Sequence, residues 1–280
     1  MKKFTLILLP TLLLCSCNQG APELIYKNYE VITFQPYFSS VSEGNNDKWP
    51  LPEGFTNYNQ LLKGAGDYLK DKLPSITFKE ENISRDETLK GSLFQRLGPN
   101  QIILFEGHGS FDPWFEGDTE CHSVMWTGRD YNDDDEKKPE YKDDYDNLRL
   151  IHDFFKHEQL TSEFIDYYCG DLTGSIVYLG NCYSGRDCTF AQSFLNKGAL
   201  AVIGNSHTTQ AFYNSCVEYT TIKLLADINP DTKKTYTLYE AQCVAKEIYG
   251  KNDKVREPVS YGSEPFIFGN PNFCLSDFKK

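Results

Sequence analysis

Two apolar runs, "IILFE" at 102–106 and "IVYLG" at 176–180, constrain this chain more than any other feature in it. Both are apolar, β-branched runs that read as core strands, and the strand, helix and strand that lead up to His108 favour a mostly parallel sheet. Helical spacing lies around them. Leu61, Leu62, Ala65, Leu69 and Leu73 recur at three- and four-residue steps, and Ser84 with Glu87 forms a capping box ahead of Leu89, Leu93 and Leu97. Downstream, the pattern predicts a helix near 188–197, a strand at 199–204, a helix over about 210–228, a helix capped by Thr237 and Glu240 that ends at Gly250, and a last strand, "PFIF". Such alternation of strand and helix predicts an α/β fold.

There is no internal repeat and no dividing linker, so one domain over 29–280 is the economical reading. Within it, 112–147 contains "DYNDDDEKKPEYKDDYDN", which has no apolar period and reads as an exposed acidic insertion. Asp130, Asn132 and Asp134 are spaced like the opening of a calcium loop. The glycine and the terminal glutamate of such a loop are missing, so a solvated segment is the stronger reading and calcium the weaker.

The chain opens "MKKFTLILLPTLLLCSC", two lysines followed by a short apolar stretch, the layout of a secretory signal. Its end resembles a bacterial lipobox. The expectation is removal of residues 1–16, lipidation of Cys17, a tether over 17–28, and residence in the bacterial cell envelope, at the outer membrane or cell surface, held by lipid and not by a span. The net charge of −12 becomes more negative once Lys2 and Lys3 are lost, which speaks against a nucleic-acid partner. Seven cysteines then remain: Cys121, Cys169, Cys182, Cys188, Cys216, Cys243 and Cys274. An odd number leaves at least one thiol unpaired, and up to three bridges could form among the others.

Both apolar runs stop at a reactive side chain: "FEGHGS" carries His108 and "LGNCYSG" carries Cys182. Loops at the carboxyl ends of parallel strands form the natural ligand crevice. If the strands are neighbours, thiol and imidazole emerge together. A cysteine attacks a carbonyl as thiolate, an imidazole can protonate the departing amine, and backbone N–H groups beside Gly109 can meet a developing oxyanion. His122, His152, His157 and His207 lack this context, and no His/Cys pair has zinc spacing. The chemistry needs no cofactor.

"FEGHGS" and "LGNCYSG" resemble the histidine and cysteine motifs of the caspase-like clan of cysteine peptidases. "FAQSFLNKGALAVIGNSHTT" and "FIFGNPNFCL" are similar to segments of gingipain catalytic domains. The resemblance implies a three-layer α/β/α sandwich, Cys182 as nucleophile, His108 as acid and base, and an oxyanion hole formed by the N–H groups of Gly109 and Cys182. It also implies a peptide or protein substrate, with Asn181, Asn205, Ser206 and His207 near the substrate-binding loop. Gly180 stands where clostripain-like enzymes have an aspartate that binds basic side chains, so basic specificity does not carry over. The expected function is a lipid-anchored cysteine endopeptidase. The alternative is a surface lipoprotein that uses the same fold only for binding.

Overall fold

The computed structural model describes residues 23–34, 49–81, 90–115, 117–134, 137–253 and 262–278. The signal segment, Cys17, and the Ser84–Glu87 capping box lie outside them. At the centre is a six-stranded sheet. Its strands are β2 (Tyr29–Phe34), β3 (Ile76–Glu81), β4 (Gln101–Glu106), β9 (Ile176–Gly180), β10 (Ala201–Asn205) and β11 (Pro265–Gly269), in the order β11-β10-β9-β4-β2-β3. All neighbours run parallel except β10 and β11. The expected mostly parallel α/β sheet is therefore present.

Period-two geometry sends alternate residues of each central strand to opposite faces. On one face Ile102, Leu104, Ile176, Tyr178, Ala201 and Ile203 join a cluster with α1 (Gln60–Lys72), α6 (Ala211–Leu224) and α7 (Leu238–Tyr249). On the other, Ile103, Phe105, Val177, Leu179 and Val202 pack with α2 (Gly91–Phe94), α4 (Ser162–Tyr168) and α5 (Thr189–Asn196). The two apolar runs lack polar alternation because both their faces are covered. Thr237 and Glu240 make the expected capping box on α7. The helix expected around Leu89, Leu93 and Leu97 is, among the described residues, only the single turn of α2.

The expected exposed insertion at 112–147 needs correction. A four-stranded antiparallel sheet grows out of this part of the chain, in the order β5-β6-β8-β7, with β5 at Gly109–Asp112, β6 at His122–Asp130, β7 at Leu150–His152 and β8 at His157–Leu160. Ser123, Val124, Met125 and Thr127 of β6 are buried. Only the acidic part behaves as read, and even there Pro139–Asp146 forms a helix, α3, started by proline in its first turn. The short pair β1 (Leu24–Tyr26) and β12 (Ser276–Phe278) joins the two ends of the described chain. Among the described residues, no helix is long and apolar enough to cross a membrane.

Phe105 stacks on Phe34 and Phe94, with ring centroids at 4.8 and 5.6 Å, and is fully buried. Phe105→Ala is expected to cost about 3–5 kcal/mol of stability. The readout is a lower urea midpoint at unchanged slope.

Candidate active site

β4 and β9 are direct parallel neighbours, with Glu106 opposite Gly180 at the end of the ladder. His108 and Cys182 each follow two residues later, so the two side chains leave adjacent strands with the same overhang. Asn181 joins the two turns: its Nδ2 donates to the His108 carbonyl at 3.0 Å, from a side chain that is almost wholly buried.

Gly109 brings the backbones closer than any other residue type could. A Cβ at this position would lie 2.6 Å from the Cys182 carbonyl oxygen and 2.9 Å from that of Val124. The direction of its amide follows from ladder geometry. The Trp126 N–H donates to the His108 carbonyl at 3.1 Å, which makes 108 and 126 a hydrogen-bonded pair. Antiparallel pairs alternate, so the next pair, Gly109 with Met125, is of the other kind. The Gly109 N–H consequently points away from β6, toward the outer edge of β5.

The turn carrying Cys182 is tied down at several points. Tyr183 holds a left-handed backbone, φ 58°, which costs a bulky residue about 1–2 kcal/mol. Its N–H donates to the His207 carbonyl at 3.1 Å, and its own carbonyl accepts from Ser123 Oγ and from the Arg186 N–H. Gly185 lies against Gly204 so closely that a Cβ would sit 2.7 Å from the Gly204 oxygen. Asp187 accepts from the Ser123 N–H at 2.9 Å and from the Thr189 N–H at 3.1 Å, which anchors β6 and α5 to the same turn. At the sulfur, the Thr209 N–H approaches Cys182 Sγ to 3.4 Å from just ahead of α6.

His108 is solvent-exposed at its edge and packed on the other side by Trp126, with ring centroids 5.1 Å apart. Trp126 in turn stacks on His157 at 4.0 Å, and His157 Nδ1 lies 2.7 Å from Asp153 Oδ2. Desolvation, with a smaller contribution from the His157 charge, holds the His108 pKa below 6.5. The imidazole is thus neutral at neutral pH and able to take a proton. Its sign for stability is unfavourable in acid. Above 6.5 the group contributes nothing; as pH falls, the unfolded chain binds the proton first, and the penalty grows until the folded-state value is passed.

Beneath the strand ends lies a buried polar layer. Glu106 accepts from Ser215, Asn214 Nδ2 donates to the Gly180 carbonyl at 3.3 Å, and Asn205 Nδ2 reaches Asn214 Oδ1 at 2.9 Å. Burial and the nearby Glu106 push the Glu218 carboxyl well above its ordinary range, so it is held protonated. A side chain at Gly180 would collide with the Phe105 carbonyl, Asn214 and Glu218 within 2.8 Å. The glycine there is dictated by the approach of α6.

Of the four residues expected near substrate, Asn181 and Asn205 are 1 % exposed and Ser206 8 %, with side chains committed to the framework. His207 reaches the surface, its ring near Tyr183. Trp126, Thr209, Arg186 and Phe111 border the site without having been singled out from sequence; "CYSGR" placed Arg186 close by, but nothing in the local pattern marked the others. Among the described residues no disulfide joins any of the seven cysteines, so none of the bridges the count left open is formed; Cys169 and Cys216 have thiols pushed up to about 12 by burial. Among the described residues, no three His, Cys, Asp or Glu side chains are grouped to hold a metal. Asp134 pairs with Lys137 and Asp133 with Lys156.

No family model matches the chain, and no curated protein sequence matches it. Among solved structures, the crystal structure of the Arg-specific cysteine proteinase gingipain R (RgpB) aligns over 88 % of this chain and 47 % of its own, at 11 % identity and a TM-score of 0.46. A complex of the pro- and mature domains of Porphyromonas gingivalis RgpB aligns over 88 % and 48 %, at 12 % identity and 0.45. The chain spans about half the length of these structures. Likeness at this level assigns no chemistry, so the site rests on its own geometry.

Gly109→Ala is expected to slow alkylation of Cys182 and lower the melting temperature together, because two backbone carbonyls cannot both retreat from the new methyl. In an NMR titration, His108 should show a midpoint below 6.5, and His157→Gln should move it upward.

Proposed function

We propose that this chain is a cysteine endopeptidase in which Cys182 is the nucleophile and His108 the general acid and base. The observation that carries this reading is the equal overhang of both residues from the last rung of one parallel strand pair. Strand ends give the rigid placement that proximity catalysis requires. The coverage of the central sheet by helical clusters on both faces supports a three-layer α/β/α organisation of the caspase-like kind.

In this reading the neutral His108 takes the proton of the Cys182 thiol, Sγ attacks the carbonyl carbon of the scissile peptide, and the carbonyl electron pair moves onto oxygen. The outward N–H of Gly109, with that of Cys182, meets the oxyanion. His108 delivers a proton to the leaving amine as the C–N bond breaks, leaving a thioester. It then takes a proton from water, whose oxygen displaces the sulfur and releases the new carboxyl end. The thiol donates to the Thr209 carbonyl at 3.7 Å, and once its proton has left, the Thr209 N–H at 3.4 Å meets the negative sulfur. Asn181, bonded to the His108 carbonyl, positions the acid and base. The chemistry of these side chains is complete without a metal. The signal-like first residues support export, with lipid on Cys17 as the membrane attachment and a cell-envelope location.

Iodoacetamide should modify Cys182 faster than the other six thiols, and a random peptide pool should be cut by the wild type. Cys182→Ala and His108→Ala should each reduce cleavage by roughly a thousandfold or more at unchanged fold. Uniform thiol reactivity with an untouched pool would leave the chain as a binding protein.

A further inference from the structure

The turn bearing the nucleophile ends in an arginine that carries no carboxylate. Arg186 lies with its guanidinium carbon 5.1 Å from the Phe111 ring centroid and 5.8 Å from that of Tyr183, two rings that stack on each other at 6.1 Å. Tyr183 is next to Cys182 in the chain, and Phe111 comes two residues after Gly109, so this cluster borders the catalytic groups. Its charge reaches His207 across the turn and holds that imidazole's pKa down, second to burial.

An unpaired arginine is unexpected in so acidic a chain. Arg129 is paired with Glu158, and Arg149 with Asp143 and Asp144. The carboxylates that adjoin the cluster in the chain are turned elsewhere: Asp187, next to Arg186, to Ser123 and Thr189, and Asp112, next to Phe111, to Ser110 and Gln159. Among the described residues Arg186 has no ion pair, and it is exposed. Its backbone is pinned by the Arg186 N–H to the Tyr183 carbonyl at 3.0 Å, while the ring contacts limit its side-chain freedom. A guanidinium held in place, open to solvent and without a counter-charge is prepared for a carboxylate, which it can bind through two N–H donors. The lost conformational freedom is spent before substrate arrives.

We infer that Arg186, braced on Phe111 and Tyr183 beside Cys182, is a specificity determinant that selects an acidic side chain adjacent to the scissile bond. The inference rests on the peptidase reading above and sharpens it, because it names the substrate class: peptides with aspartate or glutamate at the cut.

The test uses internally quenched peptides of one sequence carrying Glu, Gln or Lys in turn at each position flanking the bond. Wild type should prefer Glu over Gln by roughly tenfold in kcat/KM at one of those positions, the value of a charge-assisted hydrogen bond. Arg186→Gln should collapse that ratio toward one, and Arg186→Glu should favour Lys. Absence of a Glu preference in wild type, or its persistence in Arg186→Gln, overturns the inference while leaving the peptidase reading intact. If no peptide is cut, the peptidase reading fails instead. A second measurement then decides the role of Arg186 without turnover: the ratio of Cys182 alkylation by iodoacetate to that by iodoacetamide. A ratio that drops in Arg186→Gln upholds anion recognition at this site, and an unchanged ratio refutes it.

Discussion

The parallel pairing of β4 with β9 is the constraint on which the site depends. Each strand is buried on both faces, so its register is fixed by two sets of core contacts at once; a one-residue slip would exchange the sets. With Glu106 opposite Gly180, the overhang of His108 equals that of Cys182. The core thereby sets the relative position of two side chains that belong to neither apolar cluster.

Beyond the last rung, placement passes from side chains to backbone. Gly109 touches the Cys182 carbonyl, Gly185 touches Gly204, and Gly180 makes room for Asn214 and Glu218. These contacts let three turns converge in a volume that side chains would fill, and the left-handed Tyr183 is the strain that convergence leaves behind. The strain persists because neighbours over-determine it: His207, Ser123 and Arg186 all hydrogen-bond to the Tyr183 backbone. The buried layer below works in the same direction. Glu106 and Glu218 are tolerated in the core as hydrogen-bonded or protonated acids, and the bonds from Ser215 to Glu106 and from Asn214 to the Gly180 carbonyl tie the floor of the site to α6.

The antiparallel sheet has a second role. β5 begins at Gly109, and β6 supplies Trp126 beneath His108, so the histidine is braced by residues outside the central sheet. His157 and Asp153, at the β7–β8 turn, complete the stack. The segment 112–147 is therefore part of the support of the histidine, although its acidic stretch lies at the surface. Its role was hidden in the sequence because "HSVMWTGRD" buries polar Ser123 and Thr127 through hydrogen bonds to Asp187 and Glu158, partners distant in the chain.

Local pattern was enough to reveal the buried strands, the α1 periodicity, the Thr237 cap and the two turns bearing His108 and Cys182, because each is written in neighbouring residues. It could not show that α6 would be buried on all sides, between α1 and α7, and so carry Asn214 and Glu218 inward. Nor could it separate Asn181 and Asn205, consumed as struts, from His207 at the surface, or find Thr209 beside the sulfur. Those assignments depend on contacts between segments tens of residues apart. The sequence by itself determined which strands are buried and where they stop. Only the tertiary structure decided what meets at their ends, since register, helix docking and backbone approach are properties of the packed chain.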